Sequence, residues 1–267
     1  MNTSMMHAQS AGSIDDHERS DKPPVKAIAA AVAGNALEFY DFIVYSFFAV
    51  YIGQTFFPLG SETASLLASV AVFGVGFFTR PLGGVLIGAF ADKAGRRAAM
   101  ILTVTLITVG TLGLAATPGY ETIGIAAPII VLMCRLLQGL ALGGEVGPAS
   151  AMLIEAAPRD KRGLYASWQI ASQGIAVVAG GLMGVLVSWY LTHEELVSWG
   201  WRIPFLVSLA LIPLAVYIRR ALPETLEKPS EKSGAQIVSS VFSDHSRYLI
   251  LGILVIISTT VSTQVGN

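Results

Sequence analysis

Long apolar runs, separated by short polar connections, leave this chain few ways to fold. Seven runs are recognisable, at residues 28–52, 64–91, 99–117, 124–154, 164–191, 202–221 and 248–264. A helix needs about 20 apolar residues to cross the hydrocarbon layer of a bilayer, and it satisfies its own backbone there without water. We therefore expect an all-α integral membrane protein with a six-helix bundle and the start of a seventh helix.

The amino-acid composition narrows the class of protein further. Hydrophobic residues make up 53% of the chain and charged residues 13%, whereas a soluble domain carries about 25% charged residues. The net charge of −1 offers no basic surface for nucleic acid, and the single cysteine, Cys134, excludes an internal disulfide. The sequence shows neither metal-ligand spacing nor a Walker-type phosphate loop. We expect a lipid bilayer as the surroundings, and no enzyme activity, metal, cofactor or nucleic-acid partner.

Basic residues are distributed asymmetrically between the connections. Of the 17 Lys and Arg residues, 14 lie in the N-terminal tail or in alternate connections, Arg219 and Arg220 among them. The other three are Arg80, Arg135 and Arg202, and the opposite connections (53–63, 118–123 and 192–201) contain none. Because cytoplasmic loops are enriched in Lys and Arg, we expect a bacterial-type inner (plasma) membrane protein with a cytoplasmic N-terminus. An aromatic belt at the outer interface is then predicted from Trp189, Trp199 and Trp201.

Polar stretches at both ends of the six-run region divide the chain into four parts. Residues 1–25 are predicted to be a disordered cytoplasmic tail, because they are polar and lack an apolar core. Residues 26–221 form the transmembrane domain, and 222–247 a cytoplasmic inter-domain loop. Residues 248–267 are interpreted as the first helix of an incomplete C-terminal domain, since the seventh run stops at Asn267 without a polar exit.

The first apolar run carries two acidic residues at membrane depth. Asn35, Glu38, Phe42 and Tyr45 follow one another at i, i+3, i+7 and i+10, and therefore share a helical face. Asp41 is three residues from Glu38, close enough for electrostatic coupling. Charges inside a membrane are costly and mark functional sites by default. We interpret the two acids as proton-binding groups; the alternative is an ion pair that only orients helices.

The fourth run repeats this pattern with a basic residue. Arg135, Gln138, Leu142 and Glu145 have the same spacing. The planar guanidinium of Arg135 suits a substrate carboxylate, and a buried pairing between helices is the alternative.

Three further polar residues have two interpretations each. Arg80 either binds substrate or pairs with Glu38 or Asp41. In the fifth run, Gln169 and Gln173 either hydrogen-bond a ligand or join neighbouring helices.

The connection between the second and third runs is short and charged. Residues 88–97 read Gly-Ala-Phe-Ala-Asp-Lys-Ala-Gly-Arg-Arg, so that an acid ends one helix and two arginines begin the next. Such a pair can hold two helices in one of two positions, as a gate does. A second acid–base pair brackets the connection between the fourth and fifth runs. The predicted gating residues are Gly88, Asp92, Arg96, Arg97, Glu155 and Arg162.

These segments resemble the major facilitator superfamily. The 88–97 turn resembles its signature loop, and similar motifs lie at 135–139, 155–162 and 222–225. The chain resembles the metabolite:proton symporter branch of the superfamily at residues 34–45, 80–83, 143–145 and 199–205. Within that branch, it resembles citrate–proton symporters at residues 118–124, 135–139 and 165–169. The resemblance implies twelve helices in two six-helix domains with the site between them, so a C-terminal transporter half is expected but absent from this chain.

The resemblance also implies a function, which is proton-coupled symport of an organic acid such as citrate. The proton gradient drives this transport without a cofactor, and the partners are protons and a small carboxylate. Proton coupling is assigned to Glu38, Asp41 and Glu145. Substrate binding is assigned to Asn35, Tyr45, Arg80, Arg135, Gln138, Gln169 and Gln173. Two alternatives remain open: a symporter of a zwitterionic osmolyte such as proline or betaine, and a truncated membrane remnant that transports nothing.

Overall fold

The computed structural model describes residues 25–155 and 157–220, together with scattered positions between 236 and 255. The predicted tail (1–25), inter-domain loop (222–247) and seventh helix (248–267) lie almost entirely outside these residues. Those three predictions, and the domain boundaries that depend on them, stay predictions.

All regular structure in the described part of the chain is helical, which confirms the predicted fold class. The helices are α1 (Val25–Phe47), α2 (Ala49–Phe56), α3 (Glu62–Ala94), α4 (Arg96–Ala116), α5 (Tyr120–Ile123), α6 (Ala126–Glu155), α7 (Arg162–Tyr190), α8 (His193–Ser198) and α9 (Ile203–Arg220). Five of these helices, two of them extended by short 3-10 turns, are long and apolar enough to span a membrane, and α1 with α2 makes a sixth span if the bent pair is counted as one.

The first span is bent, although its apolar run predicts one continuous helix. The axes of α1 and α2 differ by 68°. Hydrogen bonds continue on both sides of the bend, since Phe48 N donates to Val44 O and Ile52 N donates to Phe48 O, both at 3.0 Å. The backbone leaves the helical region at Phe48 itself (φ −99°, ψ 11°). The bend directs the buried side chains of Phe48, Ile52 and Phe56 into the apolar core.

Glycines allow α6 to approach α3 closely. A Cβ on Gly139 would overlap the carbonyl of Gly76, and one on Gly143 would overlap the backbone of Arg80. Gly83 on α3 meets the backbone of α6 in the same way, whereas a Cβ on Gly147 would meet nothing within 4 Å. Backbones can touch only where side chains are absent, so of the glycines spaced by four on α6 (Gly139, Gly143 and Gly147), the first two lie in the contact with α3.

Arg202 ties together the connections that contain no Lys or Arg. Its guanidinium donates to the carbonyls of Ser198 (2.8 Å), Thr117 (2.9 Å) and Ala115 (3.0 Å). Three carbonyls that lack helical partners at the end of α4 and near α8 are satisfied in this way, and the end of α4 is thereby fixed to the start of α9.

One of the three tryptophans predicted for the outer belt belongs to the core instead. Trp201 is fully buried and packs edge-on against Phe56 and Phe205. Trp189 and Trp199 are 81% and 48% exposed, as a belt requires. The sequence could not separate the three, because burial of Trp201 depends on the turn that carries it under α2.

Many large apolar side chains on the long helices are exposed, most of all on α3 and α7. A water-soluble protein rarely exposes contiguous apolar patches of this extent. The protein is therefore a multi-pass membrane protein, in which these helices face lipid or another transmembrane segment.

Candidate functional site

A chain of hydrogen bonds crosses the bundle interior from Arg135 to Asp41. Arg135 Nη1 donates to Gln138 Oε1 (2.7 Å), and Gln138 Nε2 donates to Thr111 Oγ1 (2.8 Å). The Thr111 hydroxyl then donates to Asp41 Oδ2 (2.5 Å). All four side chains are buried, and they come from α6, α4 and α1. The chain, called the Arg135–Asp41 chain below, links a guanidinium to a carboxylate across three helices.

Tyr45 covers the other side of Arg135. The guanidinium carbon lies 3.5 Å from the centre of the Tyr45 ring, and the Tyr45 hydroxyl donates to Ser69 O at 3.2 Å. Nε and Nη2 of Arg135 have no hydrogen-bond partner within the described residues. An arginine with unused donors under an aromatic ring is prepared to accept an anion, once the ring moves aside.

Arg80 lies between aromatic rings. Its guanidinium carbon is 4.2 Å from the ring centre of Phe77 and 4.5 Å from that of Phe42. Its Nε and Nη2 make no hydrogen bond to any described residue, and the predicted alternative of a pair with Glu38 or Asp41 is not what the structure shows. Cation–π contacts hold the guanidinium but leave its donors unused.

Glu38 and Glu145 belong to a second buried group, which also contains Arg219. Arg219 Nη2 lies 2.5 Å from Glu145 Oε1, and Arg219 Nη1 lies 3.4 Å from Glu38 Oε1. The three side chains are 0–2% exposed. We call them the Glu38–Glu145–Arg219 cluster. The prediction that Arg219 is a loop cation was wrong, because α9 carries the side chain into the bundle.

The two acidic residues of α1 therefore enter different networks. A small cavity of about 10 Å³ between α1, α4 and α9 borders both Glu38 and Asp41, which is near the lower limit for one water molecule. Glycine at position 34 is needed here, because a Cβ would overlap the Arg219 guanidinium.

Asn35 and Gln169 join α1 to α7. Asn35 Nδ2 donates to Gln169 O (3.0 Å) and to Ser172 Oγ (2.5 Å), while Gln169 Nε2 donates back to Asn35 Oδ1 (2.9 Å). Both amides are buried, and Gln173, one turn further along α7, is half-buried. In this conformation Asn35 and Gln169 act as a helix-to-helix contact.

Charged residues also meet at the end of the bundle where α3, α4 and α6 finish or begin. Arg96 Nη1 lies 2.5 Å from Asp92 Oδ1, and Arg96 Nε lies 3.7 Å from Glu155 Oε1. The described acidic partner of Arg96 at the end of α6 is thus Glu155, while Arg162 begins α7 with an exposed side chain. A Cβ on Gly88 would meet nothing within 4 Å, so close packing against α6 occurs at Gly83 instead.

Three members of these networks were not predicted from sequence. Thr103 and Thr111 are single hydroxyls inside the third apolar run, where threonine is common, and no spacing distinguishes them. Arg219 lies next to Arg220 at a helix end, which is where loop-type basic residues are expected. Comparing the number of acidic and basic residues inside the apolar runs could have indicated Arg219, because the buried carboxyls of Glu38 and Glu145 need a positive charge nearby.

The described residues contain no group of three or more His, Cys, Asp or Glu side chains that could hold a metal ion. The buried side chains described above can bind anions through arginine and protons through carboxylates. A bundle of apolar helices with such groups inside is typical of membrane transport proteins.

Comparison with known proteins identifies the family. The chain matches the model of the "Sugar (and other) transporter" family over residues 26–259, and it belongs to that family. It is 42% identical over 237 residues to the citrate-proton symporter of Salmonella typhi, covering 88% of this chain and 54% of the relative. It is 43% identical over 206 residues to the alpha-ketoglutarate permease of Escherichia coli strain K12 (76% and 47%). The proline/betaine transporter of Salmonella typhimurium is 41% identical over 200 residues (75% and 40%).

The fold matches that of a solved structure described as belonging to the major facilitator superfamily, the superfamily that the sequence motifs resemble. The proton:xylose symporter XylE with bound 6-bromo-6-deoxy-D-glucose matches with a TM-score of 0.68 at 19% identity, over 75% of this chain and 45% of XylE. At that identity the likeness concerns the fold alone. The chain spans about half the length of the curated relatives it matches.

Proposed function

We propose that this chain is the N-terminal half of a proton-coupled symporter of organic acids such as citrate. The observation that carries the proposal is the Arg135–Asp41 chain, which connects an anion-binding group to a proton-binding group. Two relatives at about 42% identity, one named a citrate-proton symporter and one an alpha-ketoglutarate permease, support the substrate class.

Charge balance explains how the Arg135–Asp41 chain of hydrogen bonds couples the binding of substrate to the binding of a proton. Without substrate, the positive charge of Arg135 balances the negative charge of Asp41. A substrate carboxylate that binds Arg135 takes over this positive charge and leaves Asp41 uncompensated in a medium of low dielectric, where an unpaired charge is costly. Proton uptake by Asp41 removes the excess charge. Anion and proton therefore bind together, which is the requirement for symport.

Arg80 is a second arginine in contact with an aromatic ring of α1, Phe42, as Arg135 is with Tyr45. Its unused donors and its position among Phe42 and Phe77 suit a carboxylate next to an apolar part of the substrate. Asn35 and Gln169 lie in the contact between α1 and α7, with Gln173 one turn further along α7. We assign all three to substrate binding when α1 and α7 separate.

The charged residues at the α3–α4 turn are assigned to gating. Arg96 joins two helix ends through Asp92 and Glu155, and Arg97 and Arg162 add positive charge at the same end. The pair is partly exposed; exposed pairs contribute about 0–1 kcal/mol, and a bias of this size suffices to shift two nearly equal states. Asp92→Asn should slow uptake more than Lys93→Gln, its exposed neighbour; equal rates in reconstituted protein would contradict the assignment.

Uptake of labelled citrate by proteoliposomes under an imposed pH gradient tests the function. The 267-residue chain is reconstituted alone, and also fused to the part of the Salmonella typhi symporter that the alignment leaves uncovered. Asp41→Asn should keep citrate exchange and lose accumulation, because a permanently neutral residue cannot release a proton. Arg135→Gln should lose both, since hydrogen bonds to charged groups contribute about 1.5–3 kcal/mol each, or about 10- to 100-fold in affinity.

Exposed residues provide matched controls for these variants. Asp160→Asn and Arg220→Gln make the same chemical changes at exposed positions, and both should transport normally. Accumulation by Asp41→Asn would remove Asp41 from the proton pathway. If neither the chain alone nor the fusion, both with wild-type residues, took up any organic acid tried, the proposed function would be overturned and the non-transporting remnant favoured.

A zwitterionic osmolyte is the second candidate substrate. It is favoured by the 41% identity to a proline/betaine transporter, and by the presence of both an acid and a base in the Arg135–Asp41 chain. Competition against labelled citrate separates the two: alpha-ketoglutarate should compete and betaine should not if the substrate is an organic acid.

A further inference from the structure

The Glu38–Glu145–Arg219 cluster contains two acids and one base in the bundle interior. The side chains come from α1, α6 and α9 and are almost completely buried. A fourth helix, α4, contributes only uncharged groups to the cluster: the Thr103 hydroxyl and the Met100 carbonyl, both of which contact Arg219 or Glu145. Among the residues that the structure describes, the charged groups that face Glu38 are Glu145 and Arg219.

The charge of this cluster is therefore unbalanced if both carboxyls are ionised. A net negative charge away from water costs several kcal/mol, and ionisable groups at membrane depth are found paired. One proton on either carboxyl makes the cluster neutral. The Arg135–Asp41 chain has one acid and one base, and its charge needs no such proton.

The hydrogen bonds indicate which carboxyl carries the proton. Glu145 receives the strong donors, with Arg219 Nη2 at 2.5 Å from Oε1 and the Thr103 hydroxyl at 2.5 Å from Oε2. Glu38 Oε1 has only long contacts with Arg219, at 3.4 and 3.5 Å. Glu38 Oε2 is buried and finds no partner among the residues that the structure describes. Of the two carboxyls in the cluster, Glu38 thus has the weaker partners, so the ionised state is better supported on Glu145.

We propose that the Glu38–Glu145–Arg219 cluster is a second proton-binding site, in which the two carboxyls share one proton that rests on Glu38. Its part in transport rests on the proposed function, whereas the bound proton depends only on the charges of the cluster. Arg219 is a positioning residue here: it fixes Glu145 in the ionised state and limits the cluster to one proton. The site is separate from Asp41, so substrate binding at Arg135 does not by itself empty it.

Infrared spectroscopy of the membrane-reconstituted chain tests the proposal without any transport measurement. At neutral pH exposed carboxyls are ionised, so the carbonyl stretch of a protonated carboxylic acid reports buried groups only. The wild type should show this band. Glu38→Gln and Glu145→Gln should each abolish it, because either variant leaves one acid balanced by Arg219. Arg219→Gln should increase the band about twofold, since both carboxyls must then be neutral.

Two controls and a conservative variant complete the design. Asp41→Asn should keep the band, and so should Arg219→Lys, which preserves the charge. A band that survives both Glu38→Gln and Glu145→Gln, or one that disappears in Asp41→Asn, would overturn the proposal. If one amide variant does not fold, the other still decides. A failure of citrate uptake with the band behaving as expected would count against the proposed function alone.

Discussion

Gly34 determines whether Arg219 can reach the carboxyl cluster. A Cβ at this position would overlap the guanidinium, and overpacking of a buried site costs about 1–3 kcal/mol. We expect Gly34→Ala to lower the thermal unfolding temperature of the protein in detergent. Gly174→Ala on α7, where a Cβ meets nothing within 4 Å, is the matched control and should be neutral or stabilising, because alanine favours a helix by about 0.5–1 kcal/mol. Equal unfolding temperatures for the two variants would show that Arg219 adjusts without cost.

The polar residues of the interior could largely be predicted from sequence, because a charged residue inside an apolar run is costly and persists there only where it binds or pairs with something. Asp41, Arg135 and Gln138 are predicted in this way, and the structure joins them through Thr111. The identity of their partners could not be predicted, since spacing along one helix says nothing about the helix that packs against it. Arg219 shows the limit, as its burial depends on the missing side chain of Gly34 across the interface.

At the scale of elements, the contact between α3 and α6 supports both arginines of the site. A Cβ on Gly143 of α6 would overlap the backbone of Arg80, whereas one on Gly147, one turn later, would meet nothing within 4 Å. Gly143→Ala should therefore separate the helices and lower the yield of folded protein and its unfolding temperature. Gly147→Ala should do neither. A comparable loss for both variants in size-exclusion and thermal-unfolding measurements would contradict the packing described here.

The extent of each membrane helix followed from the apolar runs, and the breaks within them did not. The bend at Phe48 occurs without proline or glycine, so no residue type announces it. The short helix α8 lies in a connection between apolar runs, where Thr192 and Glu195 cap each other at its start. Their hydrogen bonds lower the pKa of the Glu195 carboxyl. Caps of this kind are visible in a sequence only when the capping pair is sought.

At the scale of the whole molecule, the two ends of the bundle differ in charge. The contact between Arg96 and Glu155 brings the basic connections to one end. Arg202 and the hydrogen bond from Thr55 to Val197 O bring together, at the other end, the connections that contain no Lys or Arg. The structure thus supports the predicted alternation of the connections, while the side of the membrane on which each end lies remains a prediction from the positive charges.

Cysteine labelling tests this orientation. Single cysteines at the exposed positions Glu121 and Glu194 should react with a membrane-impermeant maleimide added to intact cells, because their connections carry no Lys or Arg and are expected outside. Cysteines at Lys93 and Lys161, also exposed, should react only after the membrane is permeabilised. The native Cys134 is buried, so the unmodified protein serves as the background control. The opposite pattern would place the basic end outside, and the turn at Asp92 and Arg96 would then face away from the cytoplasm and could not close the cytoplasmic exit.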